Sequence, residues 1–334
     1  MKRRTFVTRA AVAVALALGT SYALAQTVLK FSHTDQPGAA RQAAALIFAK
    51  SVENYSQGRV KVQVFPAGQL ATDPKAVEQL QLGGIDLTVT GTGTYATHIP
   101  TLNLMLMPYL VDTYDQGWRF YDSSAWLKKQ FDQGPSKGFR ILAIWEAGFR
   151  SMTTKGPLNS PEDAKGKKLR TYPNEMQRWL LEAMGFSIQI LPMTEVYLAI
   201  QQNVVWGQEN PIDTIYANKL YEVAPNVTLT QHVYSPIPLA ISEKTWQKLS
   251  TEDRDAVTKA ARETAAWIRK EIRANDDRQL ADMTAKGAKV ARPPLDPFRK
   301  SVQPAYAKAK EKYGADVDAV LAEAAAIRKA VPAK

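Results

Sequence analysis

The side chains best suited to recognising a ligand in this sequence are two arginines, because a planar guanidinium offers two parallel donors that match a carboxylate. Arg150 stands just after an apolar strand containing Trp145, and Arg170 closes the short run Lys168-Leu169-Arg170. Strand ends facing a crevice are where α/β proteins bind ligands, so the pair reads as a carboxylate site. The competing reading pairs each arginine with an internal acid. Other chemistries are poorly supplied. The chain has no cysteine, which removes thiolate zinc sites, iron–sulfur clusters and cysteine nucleophiles. Its three histidines, His33, His98 and His232, are too far apart in sequence for an HExxH-type pair, so neither metal nor cofactor is expected.

Two motifs fail on context. Gly134-Pro135-Ser136-Lys137-Gly138 satisfies G-x-S-x-G, but a nucleophile elbow needs a strand before the serine and a helix after it. Here residues 126–133 read as helix and 139–144 as strand, which predicts a helix-to-strand turn. Gly91-Thr92-Gly93-Thr94 lacks the third glycine and the lysine of a phosphate loop, leaving only close backbone approach to a ligand. Glu146, Glu195 and Glu209 are chemically capable of acid/base work in an exported hydrolase or lyase. No nucleophile–base pair accompanies them, and the expectation is a protein that is not an enzyme.

The elements that must position these residues alternate. Residues 28–32 read as strand, 41–55 as an amphipathic helix, 60–65 as a period-two strand, 75–82 as a helix capped by Asp73-Pro74, and 85–90 as strand. The rhythm resumes with strand 140–144, strand 168–171, helix 174–184, strand 188–190 and helix 194–202. This predicts two α/β units. Residues 251–286 contain no Gly or Pro and follow the cap signals Ser250 and Thr251. A continuous helix there would be roughly 54 Å long and cross between domains; the alternative is two helices broken at Asn275-Asp276-Asp277. The Ala/Lys-rich C-terminus reads as helix.

The 334 residues carry 43 Lys+Arg against 32 Asp+Glu. Residues 1–25 hold four of the bases and no acid: Lys2, Arg3, Arg4 and Arg9, then the apolar run 10–18 and the small-x-small pattern Ala23-Leu24-Ala25. That is a signal peptide, with the mature chain starting at Gln26. Arg3-Arg4-Thr5-Phe6-Val7 resembles a twin-arginine core, and both the general and twin-arginine export routes stay open. The remaining bases are interleaved with acids, so nucleic acid is not an expected partner. No later run is long and apolar enough to insert in a membrane.

Four ordered motifs carry a resemblance: Gly148-Phe149-Arg150; residues 161–170, PEDAKGKKLR; residues 192–201, PMTEVYLAIQ; and Gly207-Gln208-Glu209-Asn210-Pro211. Together they resemble the solute-binding proteins of tripartite ATP-independent periplasmic (TRAP) transporters, the DctP family. The likeness runs over nearly the whole mature chain. It implies an α/β, two-domain periplasmic binding protein fold (type II-like), each domain a sheet wound by helices, with a long helix across both. The expected division is residues 26–147 plus 236–275 for domain I, and 148–235 plus 276–334 for domain II. It further implies a periplasmic receptor that closes on an organic acid and delivers it to the small and large permease subunits.

By resemblance, Arg170 clamps the carboxylate, Arg150 is the second arginine and Asn210 bonds the same carboxylate. His33, Thr34, Gly91, Thr94, Trp145 and Met193 match other lining positions, with core packing an equal contender for His33 and Met193. Where sialic-acid-binding relatives carry further charges, this chain has Gly91 and Thr94. That favours a monocarboxylate, aromatic or hydroxylated, over a C4-dicarboxylate; sugar acids are the other option within the family. Asn203 and Trp206 depart from the family's usual Gly and Asp, which puts the local loop geometry in question.

Overall fold

The computed structural model describes residues 26–333, so the expected signal peptide lies outside the described residues. In chain order the elements are β1 (Thr27–Ser32), α1 (Ala40–Tyr55), β2 (Val60–Phe65), α2 (Asp73–Leu82), β3 (Leu87–Val89), α3 (Tyr114–Ser123), α4 (Ala125–Phe131) and β4 (Phe139–Thr154). There follow β5 (Lys168–Thr171), α5 (Glu175–Ala183), β6 (Ser187–Ile190), α6 (Val196–Gln201), β7 (Gly207–Pro211), α7 (Ile212–Ala217), α8 (Leu220–Val223) and β8 (Asn226–Ser242). The chain ends with α9 (Glu243–Lys248), α10 (Thr251–Ala285), β9 (Lys289–Ala291), α11 (Asp296–Ser301), α12 (Gln303–Tyr313) and α13 (Ala315–Ala330).

The nine strands among the described residues belong to one mixed sheet in the order β2-β1-β3-β8-β4-β7-β5-β6, with β9 beside β8. β1 runs parallel to β2 and β3, and β5 runs parallel to β6 and β7, giving two wound units at the ends of the sheet. β4 and β8 join them as a long antiparallel pair. At ~3.3 Å per residue these strands of 16 and 17 residues extend about 55 Å. The β4–β8 register shifts between Glu146 and Phe149, where Gly148 has φ +99°. That left-handed conformation is open to glycine at low cost, and a Cβ there would lie 2.9 Å from the Tyr114 hydroxyl. The bulge bends the strand without ending it, so Arg150 lies inside β4 and not after it.

α10 is unbroken over 35 residues, about 52 Å. Ser250 Oγ accepts from Asp253 N, and Glu252 and Asp253 sit in the first turn where the helix dipole favours acids. The potential break is bridged. Asp276 accepts from the Tyr114 hydroxyl of α3 at 2.5 Å, holding the middle of the helix against its neighbour. Gly287, at φ +97°, follows the helix.

Three apolar clusters form the core. One packs α1, β1 and β2 against the first half of α10 around Phe31, Phe48 and Trp145; another joins α6, α7 and α8 to Leu280 and Met283 of α10. The largest gathers α2 to α5 with α11 to α13. The C-terminal helices touch both α3 and α5, so they contact segments assigned to both expected domains. Tyr55, the last residue of α1, is 37% exposed and donates to Glu263. Residues 134–137 form one 3-10 turn between α4 and β4, as the helix-to-strand reading required, and Ser136 Oγ donates to Gln133 O.

Candidate functional site

Sheet order brings the two arginines together. β7 lies between β4 and β5, pairing Arg150 with Pro211 on one side and Arg170 with Gln208 on the other. Glu209 and Asn210 are therefore delivered between the guanidinium groups. Across from them stand the turns after β1 and β3. The two walls enclose a cavity of about 60 Å³, lined by Arg150, Arg170, Tyr172, Met193, Asn210 and Ser235 on one side and by Asp35, Arg41, Asp73, Thr90, Gly91 and Thr94 on the other. Room for several waters exists at ~15 Å³ each.

Arg150 and Arg170 differ in one decisive respect. Arg150 grips an internal acid: Nε donates to Glu209 Oε2 at 2.5 Å and Nη2 to Glu209 Oε1 at 2.9 Å, while Nη2 also reaches Asn210 Oδ1 at 3.1 Å. Its remaining terminal nitrogen has only a long 3.4 Å contact to Ser235 Oγ. The internal-acid reading thus describes Arg150, which also stacks its guanidinium 5.3 Å from the centre of the Tyr172 ring. Burial alone would raise the Glu209 carboxyl, but Arg150 and His232 hold it down to about 2. Burial pushes the His232 imidazole down, partly opposed by Glu209, and its Nε2 lies 3.3 Å from Glu209 Oε2.

Arg170 is 2% exposed, and among the described residues no carboxylate comes within ion-pair distance of it. Nε donates to Leu191 O at 2.9 Å, and Nη1 lies 4.0 Å from the Met193 sulfur. Burial pushes the guanidinium down to about 10, with Glu209 opposing and Arg150 reinforcing the shift, so it is charged at neutral pH. Its terminal nitrogens, with no protein carboxylate beside them, face a cavity with room for a ligand, an arrangement suited to an anion.

The opposite wall carries acids. Arg41 Nε lies 3.0 Å from Asp35 Oδ2 in an ion pair whose geometry is not that of an aligned hydrogen bond. Asp73 accepts from Thr34 Oγ1 at 3.0 Å. Burial raises both aspartates, partly opposed by Arg41. Gly91 leaves open space: a Cβ built there meets nothing within 4 Å, so its lack of a side chain adds room to the cavity.

Of the residues expected at the site, Arg150, Arg170, Asn210, Gly91, Thr94 and Met193 line the cavity. Thr34 stands one step behind, orienting Asp73. His33 is buried beside it with Nε2 2.7 Å from Gln42 Oε1, and burial with Arg41 nearby lowers it to about 4. Trp145 does not reach the cavity. It is fully buried against Phe31 and Phe48, in the cluster that packs α1, β1 and β2 on α10. Asp35, Arg41, Asp73, Tyr172 and Ser235 were not anticipated. Asp73 had a visible signal, but as a helix cap before Pro74, and Arg41 only as a helix start.

The three glutamates of the enzyme reading do not meet. Glu146 is buried outside the cavity, taking Trp118 Nε1 at 2.8 Å, Gly148 N at 2.7 Å and the Tyr234 hydroxyl, and burial raises it to about 7. Glu195 is exposed and Glu209 is committed to Arg150. At Asn203 the loop adopts φ +62°, a left-handed conformation that asparagine tolerates.

A mixed α/β sheet with a buried, anion-seeking cavity between two wound units defines a small-molecule binding protein of the bacterial periplasmic type. Residues 31–312 match the family described as bacterial extracellular solute-binding protein, family 7 (DctP), and the chain belongs to it, as a solute-binding protein of the TRAP kind. It is 33% identical over 299 residues to the sialic acid-binding periplasmic protein SiaP of Vibrio cholerae, spanning 89% of this chain and 93% of the relative. Among solved structures it is similar to the sugar acid binding protein DctPAm of Advenella mimigardefordensis in complex with galactonate, with TM-score 0.87, 30% identity and coverage of 90% and 99% of the two chains. A TRAP periplasmic solute binding protein of Polaromonas sp. JS666 bound to D-erythronate gives TM-score 0.85 and 31% identity, covering 89% and 99%.

Proposed function

We propose that this protein is a periplasmic receptor that captures a hydroxylated monocarboxylate between two closing domains and hands it to the paired membrane subunits of a TRAP transporter, without chemical conversion. One observation carries the reading: Arg170 is buried in the cavity with free terminal donors and no protein carboxylate beside it. A ligand carboxylate supplies the missing partner, and Asn210, already oriented by Arg150, stands in the same wall.

The opposite wall favours one carboxylate over two. Arg41, the cation of that wall, is already paired with Asp35 and leaves no free positive charge for a second carboxylate, whereas a ligand hydroxyl can hydrogen-bond to either aspartate. Galactonate and D-erythronate, named with two of the similar structures, each carry one carboxylate beside a 2-hydroxyl, the part of the ligand that this reading places on Arg170 and Asp73; succinate, named with another, carries two carboxylates. The proposed domains are residues 26–147 with 236–275 and residues 148–235 with 276–334, joined through β4, β8 and α10. A carboxylate held by Arg170 while its hydroxyl meets Asp73 contacts both walls only when they are together, which biases closure.

Ligand-dependent thermal shifts across a library of organic acids test the proposal. Stabilisation by hydroxylated monocarboxylates is the expected result; stabilisation by succinate, fumarate or malate alone overturns the monocarboxylate assignment. Mass spectrometry of small molecules released on denaturing the freshly purified protein identifies the cargo directly. Turnover of the bound acid would restore the enzyme reading.

A further inference from the structure

A second cavity of about 260 Å³ opens off the first, and the two share Asp73, Thr94, Arg170, Tyr172 and Met193. Its remaining lining is Thr72, Pro74, Pro173, Ile190, Leu191 and Pro192. Apart from the threonine these are apolar. Three prolines, each with φ fixed by its ring, stiffen the wall. Ile190, 41% exposed, stands at the outer rim. Arg170 is the joint between the cavities: its Nε is fastened to Leu191 O in the side-pocket wall, and its terminal nitrogens are the ones left for a ligand.

We propose that this side pocket is a subsite for the apolar end of the same ligand, so that the preferred cargo is a 2-hydroxy acid bearing a branched aliphatic or aromatic substituent. The inference rests on the carboxylate reading and extends it. With the carboxylate on Arg170 and the 2-hydroxyl on Asp73, the third substituent of the 2-carbon is directed to the shared boundary, beyond which the lining offers carbon and no charge. A polyhydroxylated chain placed there would give up water without gaining partners. An apolar chain gains by leaving water, at about fourfold in affinity per buried methylene.

The test is calorimetric titration of the purified protein with glycolate, lactate, 2-hydroxyisovalerate, 2-hydroxyisocaproate and 3-phenyllactate, beside erythronate and gluconate. Affinity is expected to climb severalfold at each step of the aliphatic series and to exceed that for the polyols. In Ile190→Asp, which places a charge at the pocket rim on an already exposed position, the ratio of 2-hydroxyisocaproate to lactate affinity is expected to fall by tenfold or more. A flat aliphatic series with tight polyol binding overturns the side-pocket assignment and leaves the carboxylate reading standing. No binding of any acid in the series, with Arg170→Ala behaving as wild type toward the library, overturns both.

Discussion

The carboxylate of Asp213 caps a helix that begins 173 residues earlier: Oδ2 accepts the amide hydrogen of Ala40 at 3.0 Å, the first residue of α1. Ala39, in the cap position, has no side chain able to do so. The other oxygen accepts from Gln279 Nε2 of α10 at 2.8 Å, leaving Gln279 Oε1 without a partner. One side chain from α7 thus ties together α1 and the far half of α10, next to the cavity-lining Pro211 and Thr214.

Burial, with Asp35 adding to it and Arg41 opposing, raises Asp213 to about 6. Its proton is held more tightly in the folded protein than in the unfolded chain, so folded stability declines as pH rises from about 4 to about 6. Asp213→Asn keeps an acceptor for Ala40 N and can donate to Gln279 Oε1 after an amide flip. The fall in melting temperature across that window is expected to become shallower in this variant, with Asp276 and Glu146 still contributing to it. Asp213→Ala loses the cap, about 1 kcal/mol. Scanning calorimetry at several pH values checks both.

Arg170→Ala is expected to weaken ligand binding about a hundredfold, about 3 kcal/mol, by leaving a buried carboxylate unpaired. Arg170→Lys also weakens it, since one ammonium cannot reproduce the guanidinium fork. Isothermal titration with an acid identified in the thermal-shift screen measures both; unchanged affinity for Arg170→Ala removes this residue from the site.

Glu209→Gln acts on stability first. It strips the buried Arg150 cation of its carboxylate, at a cost of about 3–5 kcal/mol. Because Glu209 is held down to about 2, its contribution is full above about 4.5 and is lost as pH falls toward 2. Urea unfolding midpoints at pH 7 and pH 3 are therefore expected to differ less in the variant than in the wild type.

Gly91→Leu is expected to abolish binding while changing stability by less than about 0.5 kcal/mol, because the added side chain enters the open cavity and strains nothing. A large loss of melting temperature would show that Gly91 serves the fold instead.

Much of the fold was legible because its signals were local. The unbroken run in α10 lacks Gly and Pro, and β5 covers the residues 168–171 expected as strand. β8 was not read as a strand, since Pro236 and Pro238 argue against a strand interior. Their carbonyls explain the exception. Pro236 O accepts from Thr92 Oγ1 and Pro238 O from the Tyr95 hydroxyl, so these residues present their backbone polar groups away from β4, and no ladder bond to β4 is lost for want of their N–H. At the site, Arg150, Arg170 and Asn210 were readable from motif order. That Glu209 neutralises one arginine and not the other depends on which strands flank β7, a non-local fact. The acids of the opposite wall were hidden for the same reason, each looking like an ordinary cap or turn residue.

The unequal treatment of the two arginines has a consequence for the working cycle. Arg41 and Arg150 carry their counter-charges with them, so bringing the walls together costs little electrostatically on their account. Arg170 does not. Shutting the cleft around it with no cargo strands a bare cation in a medium of low polarisability, an uphill step that a carboxylate removes. On the proposed receptor reading, Arg170 opposes closure without cargo, so a shut cleft reports a loaded site.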